Sequence, residues 1–225
     1  MRVMLFRRHK DGAPVPRSDL TTLVSKAYKD KRQLGPHVVA LAQRRFLSSL
    51  GMEMQALDKV KRSEADVKKM VAAAGADKGT AADRSYVLRS ALPARLRAAF
   101  VDRAEDAPLR GMALTVLSLV AIAGDGGLAE DLLWTQLASL GAPKGSKTHP
   151  ALGDADAALE ALVKQRYVQR GKAAGPDGER KVLELAENAL AEVGMKRISE
   201  FIAATMKSGR GAPAPAADED DNDDA

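Results

Sequence analysis

The stretch from residue 110 to residue 186 constrains the fold most, because three helical segments and two β-prone runs follow one another there in close succession. The first segment has an apolar stripe at helical spacing and ends at a glycine-rich turn, residues 124–127. The second ends at Gly141, and Asp154 and Asp156 open the third. The predicted inward faces are, in order, Leu114, Leu117, Ser118, Ala121 and Ile122; Leu132, Leu133, Leu137 and Leu140; and Ala155, Leu159, Leu162 and Val163.

Two β-prone runs, Tyr167–Arg170 and Val182–Leu185, flank the turn-rich segment 171–180. This pattern predicts a β-hairpin with a basic tip. Three helices followed by a hairpin is the layout of a winged helix. We therefore predict a winged-helix module over residues 110–207.

Residues 17–101 show a smaller module of the same mixed kind. Ser18 is placed to cap a helix that carries Leu20, Leu23 and Val24, and Gly35-Pro36 opens a second helix. Alternation over residues 52–56 and the run at 86–88 indicate two strands, and Pro93 starts a short helix through Phe100. The segment 61–84 is expected to be a loose insertion, in part helical at Glu64–Ala74.

The predicted fold class is therefore mainly α with short β-hairpins, arranged as two tandem winged-helix modules. The first module spans 17–101 and the second 110–207, with a polar linker at 102–109. Residues 1–16 are expected to form a flexible basic N-terminus. Residues 208–225 combine Gly, Pro, Ala and acids, and we expect a disordered acidic tail.

The charge of the chain is unevenly distributed. The formal net charge is +5, although six of the last eight residues are acidic, so the rest of the chain is more basic than the total indicates. A basic body favours a polyanionic partner such as nucleic acid. The alternative is a solubilising basic surface with a disordered acidic end.

A cationic rim on the second module is the candidate DNA contact. Lysine and arginine there would neutralise phosphates, which gives salt-sensitive binding with little sequence preference. The third helix presents Asp154, Asp156 and Glu160 outward and lacks a cluster that could read base edges, which disfavours a sequence-specific repressor. The alternative is a set of solvated cations. The candidate residues are Lys144, Lys147, Lys164, Arg166, Arg170, Lys172, Arg180 and Lys181.

Residues that could form a reactive centre are sparse. The chain has no cysteine, and its histidines, His9, His37 and His149, lack metal-ligand spacing. The segment 141–148 has the wrong glycine spacing for a phosphate loop and lies between helices. We therefore predict a non-enzyme without catalytic residues, metal or cofactor. No apolar run is judged long enough to cross a bilayer, so no membrane association is expected.

Two apolar faces are candidate protein contacts. One contains Leu23 and Val24 in the first predicted helix, and the other contains Ile198, Phe201 and Ile202 in the last. Residues at such spacing more often belong to a core, and that alternative stays open.

Three segments carry a resemblance to a known family: Gly111–Leu119, Leu132–Leu137 and Leu162–Val168. With Gly141, His149-Pro150 and Gly153-Asp154 in the expected order, the chain resembles the MAGE (melanoma-antigen) homology domain. Within that family it is most similar to the branch that serves in structural-maintenance-of-chromosomes (SMC) complexes. Many relatives have Trp-Gly-Pro-Arg shortly before the final helix, and this chain has Leu185–Asn188 there, so the resemblance carries least information on the strand-to-helix geometry at this point.

The resemblance implies two tandem winged helices and a non-catalytic scaffold that works in DNA repair and recombination in the nucleus. It implies a RING-type ubiquitin ligase subunit as partner of the first module, contacting Leu20, Leu23 and Val24. It implies a kleisin subunit as partner of the second, contacting Ile198, Phe201 and Ile202. SMC ATPases would be reached through the kleisin, and double-stranded DNA would be bound without sequence preference.

Two alternatives keep part of this interpretation. The first is a free-standing MAGE-type adaptor that activates a RING ubiquitin ligase and recruits its substrates. The second is a winged-helix transcription regulator, which the scarcity of base-reading side chains disfavours.

Overall fold

The computed structural model describes residues 1–29, 34–58, 84–102, 104–175 and 178–209. The first half contains four helices and three strands within these residues. They are α1 (Arg2–Lys10), β1 (Val15–Pro16), α2 (Arg17–Ala27), α3 (Leu34–Leu50), β2 (Met52–Asp58), β3 (Arg84–Ser90) and α4 (Ala94–Phe100).

A 3₁₀ turn (Ala104–Asp106) leads into the second half. Its elements are α5 (Ala107–Ala123), a second 3₁₀ turn (Gly124–Gly126), β4 (Leu128–Ala129), α6 (Glu130–Ser139), α7 (Ala155–Lys164), β5 (Val168–Gly175), β6 (Gly178–Leu185), α8 (Glu187–Glu192) and α9 (Gly194–Gly209).

Each half contains a three-stranded antiparallel sheet, ordered β1-β3-β2 in the first half and β4-β6-β5 in the second. In both sheets a hairpin supplies two strands and a two-residue strand pairs with the hairpin's second strand. Both halves therefore run helix, short strand, two helices, hairpin. The prediction of a mainly helical chain with short β-hairpins is confirmed.

The larger core lies in the second half. Val116 and Leu117 of α5, Leu133 of α6 and Leu183 of β6 are fully buried there. Gly127 is needed where the chain passes close to β6: its φ is +68°, and a Cβ would lie 2.9 Å from the carbonyl oxygen of Leu183. The smaller core of the first half surrounds Phe46.

The N-terminal segment is ordered, which corrects the expectation of a flexible end over residues 1–16. Met4 of α1 is buried, and Arg8 donates a hydrogen bond to the carbonyl oxygen of Leu88 at 3.1 Å. Val15 is 1% exposed and pairs with Tyr86 in the sheet. A helix held by so few apolar residues leaves little periodicity in the sequence, which is why pattern reasoning overlooked it.

The expectation that no apolar run is long enough to cross a membrane is also wrong. The 20 residues Ala107–Gly126 are sufficiently long and apolar by length and composition alone. In this structure they form α5 and the turn after it. The larger core of the second half buries four of them, Met112, Val116, Leu117 and Val120. Because α5 already starts at Ala107, the predicted linker 102–109 is shorter than expected. The helix expected at Glu64–Ala74 and the acidic tail beyond residue 209 lie outside the described residues.

Candidate nucleic-acid interface and partner surfaces

Arg166 stabilises the second half from the end of α7. It is the only residue other than glycine with a positive φ, 61°, within the described residues. Its guanidinium forms two hydrogen bonds to the carboxylate of Glu187, at 2.8 and 2.9 Å, and Glu187 is 5% exposed. A left-handed backbone costs a residue with a Cβ about 1–2 kcal/mol. The bidentate ion pair offsets that cost, so Arg166 is a structural residue and not part of a cationic rim.

Arg170 clamps the hairpin to two helices. From β5 it contacts Glu160 of α7 and lies 3.4 Å from Glu130 of α6. The hydrogen bond from Arg170 holds the pKa of Glu160 below its ordinary value, and the same bond raises the pKa of Arg170. Much of this arginine's charge is therefore compensated within the protein.

Lys172 and Lys181 occupy opposite positions on β5 and β6, and Arg180 faces Ala173. Lys172 lies 2.6 Å from Glu179, but both side chains are 68% exposed, so the pair is weak. Arg180 and Lys181 are exposed. The hairpin therefore presents cations to solvent beyond its clamped base.

The loop between α6 and α7 carries Lys144 and Lys147, both exposed. The first turn of α7 orders this loop, because Asp156 accepts a hydrogen bond from the Gly145 amide at 2.6 Å and Asp154 caps the helix through the Ala157 amide at 2.9 Å. Both aspartates thus have a structural role.

Four predicted cations lack an ion pair within 4.0 Å in the part of the chain that the structure describes. They lie on the α6–α7 loop, on α7 and on the hairpin: Lys144, Lys147, Lys164 and Lys181. With exposed Arg180 they are the cations best placed to meet phosphates.

The α2 surface is thinly covered. Leu23 is 44% exposed, whereas Leu20 and Val24 are half-buried and Leu20 packs against the first core. No residue of α2 is fully buried. Leu23 is therefore the best-exposed of the three residues predicted to meet a partner.

The three residues of α9 that are predicted to contact a partner differ in their burial. Ile198 is fully buried in the second core and cannot meet a partner, which corrects that expectation. Ile202 packs against the same core from a half-buried position, and Phe201 is half-buried. Met206, one turn further on, is 63% exposed.

A cleft of about 460 Å³ lies between the two halves. Its floor is apolar and includes Leu88 and Leu117, and the residues around it include Arg7, Arg97 and Arg197. At its edge the hydroxyl of Tyr167 donates to Glu192 at 2.6 Å. Burial is the main cause that raises the pKa of Tyr167, and the adjacent carboxylate raises it further.

A chain of hydrogen bonds joins the halves beside this cleft. Arg89 of β3 donates to the side chain of Asn188 at 2.6 Å and to the carbonyl oxygen of Ala191 at 2.9 Å. The Asn188 amide donates to the carbonyl oxygen of Gln165, and the Gln165 amide donates to the carbonyl oxygen of Asp11 at 3.1 Å. The two halves are therefore held in a defined orientation.

The family model of the MAGE homology domain matches residues 1–196 of the chain. This chain belongs to the MAGE family. No curated protein matches the MAGE chain. Among solved structures, a chain described as "Nse1-Nse3-Nse4 complex" is similar with a TM-score of 0.67 and 19% identity, over 92% of this chain and 86% of that chain. At that identity the likeness establishes the fold.

The sequence patterns of this MAGE chain did not predict the arginine-lined cleft or the junction beside it. Arg7, Arg97 and Arg197 lie in three distant parts of the sequence, and no spacing in it predicts that they converge with Arg89. The departure from the family pattern at Leu185–Asn188 coincides with two buried polar residues. Asn188 accepts a hydrogen bond from Arg89 across the junction, and Glu187 pairs with Arg166 within the second half. Within the described residues no group of three or more acidic, histidine or cysteine side chains could hold a metal.

Proposed function

We propose that this MAGE protein is the non-catalytic third non-SMC element subunit of an SMC complex, acting in the nucleus in DNA repair. The observation that carries the proposal is the match to the MAGE homology domain over residues 1–196. The fold shared with a chain of the Nse1-Nse3-Nse4 complex supports it. We further propose that each half is a winged helix, supported by the common order of helix, short strand, two helices and hairpin.

The proposed nucleic-acid partner is double-stranded DNA bound without sequence preference. Lys144, Lys147 and Lys181 are exposed and lack ion pairs among the described residues, so each can neutralise a phosphate. The start of α7 offers Asp154 and Asp156, which are already engaged in capping and loop contacts. Backbone contacts without base readers produce salt-sensitive binding that ignores sequence.

The proposed protein partners are a RING-type ubiquitin ligase subunit on α2 and a kleisin subunit on α9. Leu23 supports the first contact because it is a large apolar side chain left 44% exposed on a helix with no buried residue. Phe201 supports the contact with the kleisin, because it is only half-buried and lies three residues after the core-facing Ile198 on the same helix. SMC ATPases would be reached through the kleisin.

Co-expression with RING-type and kleisin subunits, followed by gel filtration, tests the assembly. Leu23→Asp should lose the RING subunit and keep the kleisin, and Phe201→Asp should do the reverse. Leu140→Asp replaces another leucine, 63% exposed, and serves as the matched control that keeps both partners. A wild-type chain that elutes alone would overturn the assembly. Purification from native extract without stoichiometric SMC ATPases would favour the free-standing adaptor.

A salt titration of duplex binding tests the DNA contact. The double variant Lys147→Glu with Lys181→Glu should lower the affinity for duplexes of unrelated sequence by the same factor. Lys196→Glu, at a position where the side chain is 92% exposed on α9, should leave it unchanged. A strong motif recovered by random-site selection would contradict binding without sequence preference and revive the transcription regulator.

A further inference from the structure

The N-terminal helix forms one wall of a second cleft, opposite the third helix of the second half. The end of α1 is fixed to the end of α7, because the Gln165 side chain donates to the carbonyl oxygen of Asp11 at 3.1 Å. Gly12, with a φ of +66°, makes this approach possible: a Cβ there would lie 3.2 Å from the Gln165 amide nitrogen. The cleft between the two helices has a volume of about 370 Å³.

The lining of this cleft is cationic on both walls. Arg8 and Lys10 come from α1 and Lys164 from α7, and both lysines are exposed. Asp11, the one acid among the described residues of the lining, is compensated by Arg7 at 3.2 Å, and its carboxylate accepts a hydrogen bond from the Ala13 amide at 3.1 Å. The net charge facing the cleft is therefore positive.

The α7 wall has small side chains where a base-reading helix would have long polar ones. Ala157 and Ala161 line the cleft at successive turns of α7. An α-helix with its side chains is about 10–12 Å wide, which already fills a major groove of about 12 Å. With α1 fixed beside it, α7 cannot lie along the groove, so a ligand approaches it through the cleft.

We propose that the cleft between α1 and α7 binds the sugar-phosphate backbone of duplex DNA. Lys10 and Lys164 contact phosphates there, and His9 extends the same surface. This inference rests on the proposed DNA binding and adds a segment, α1, that lies outside the predicted cationic rim. The contact extends the phosphate track from the hairpin and the α6–α7 loop onto the first half of the molecule.

The test is the salt dependence of duplex affinity in the full chain. Each phosphate contact contributes about 0.9 to the slope of log K against log salt concentration for B-DNA, so Lys10→Gln with Lys164→Gln should reduce the slope by about 1.8. Lys196→Gln, which removes an exposed lysine on α9, is the matched control and should leave the slope unchanged.

A second variant changes the space without changing the charge. Ala157 is exposed, so Ala157→Trp should fold while filling the cleft, and it should lower duplex affinity several-fold. The site would be overturned if Lys10→Gln with Lys164→Gln kept the wild-type salt slope and Ala157→Trp kept the wild-type affinity. The α1 cations would then only complement the C-terminal end of that helix. The proposed function would survive that result if Lys147→Glu with Lys181→Glu still weakens binding. Failure of the wild-type chain to bind duplex would instead remove both.

Discussion

The second half of the molecule buries a continuous core to which α5, α6, α7, β6 and α9 all contribute, whereas the first half encloses a smaller one around Phe46. In the first half α2 has no fully buried residue, and the helix α1 contributes Met4 to the core. The same order of elements thus produces a well-packed half and a thinly packed half. The thinly packed half therefore leaves large apolar side chains such as Leu23 exposed.

Phe46→Ala should have the largest effect and separate the two halves. Phe46 is fully buried in the smaller core, and truncating a buried phenylalanine costs about 3–5 kcal/mol. We expect the first half to lose hydrogen-exchange protection while α5 and β6 keep theirs. Leu133→Ala, in the larger core, is the comparison and should lower protection in the second half. Equal loss of protection across both halves with Phe46→Ala would show that they unfold as one unit.

Arg166→Ala should have the next largest effect, within the second half. It leaves the buried carboxylate of Glu187 unpaired and should lower the free energy of unfolding by about 2–4 kcal/mol, measured by chemical denaturation. Combining it with Glu187→Gln should recover part of the loss, because the unpaired charge is gone. A stability loss without such recovery would mean that the lost hydrogen bonds of Arg166, and not the unpaired charge of Glu187, dominate.

Tyr167→Phe should have the smallest effect, at the junction between the halves. The structure raises the pKa of this phenol above its ordinary value near 10, so the folded state holds the proton more tightly than the unfolded state. The stability from this group is present below about pH 10 and is lost as the pH rises beyond that value. Near neutral pH the variant should lose about 1 kcal/mol with its hydrogen bond to Glu192.

The measurement for Tyr167→Phe is the melting temperature as a function of pH. The wild-type chain should lose more stability than the variant as the pH is raised above 10. Parallel curves for the two proteins would show that the junction does not favour the neutral phenol.

The second half was the more predictable from sequence. Its three helices, the glycine turns and the hairpin lie where periodicity and turn residues placed them. The buried face of α5 differs from the predicted one, because Val116 and Val120 are buried in place of Leu114 and Ile122. A helix that is apolar on all sides has a weak periodic pattern, so its buried face is hard to predict. In α6 the structure buries Trp134 and exposes Leu132, and Leu140 just after the helix is also exposed.

What the sequence could not supply arises from contacts between distant segments. The order of α1 depends on contacts with β3 and α7, so its own residues carry little pattern. The role of Arg166 depends on a backbone angle and on Glu187, neither of which residue type or spacing predicts. The short helix α8 begins within the departure at Leu185–Asn188, and its first two residues, Glu187 and Asn188, are buried polar side chains.

The contact between Gln165 and Asp11 spans 154 positions of the chain, which matters while the protein is being synthesised. At about 5–20 residues per second, the ribosome needs about 8–30 seconds between making the two residues. During that interval Met4 can already pack with Tyr86 and Leu88 in the core of the first half, whereas the carbonyl oxygen of Asp11 still lacks its donor on Gln165. The contact between the two halves is thus completed late in synthesis, so a chaperone that shields the first half until Gln165 has been made should raise the yield of folded protein.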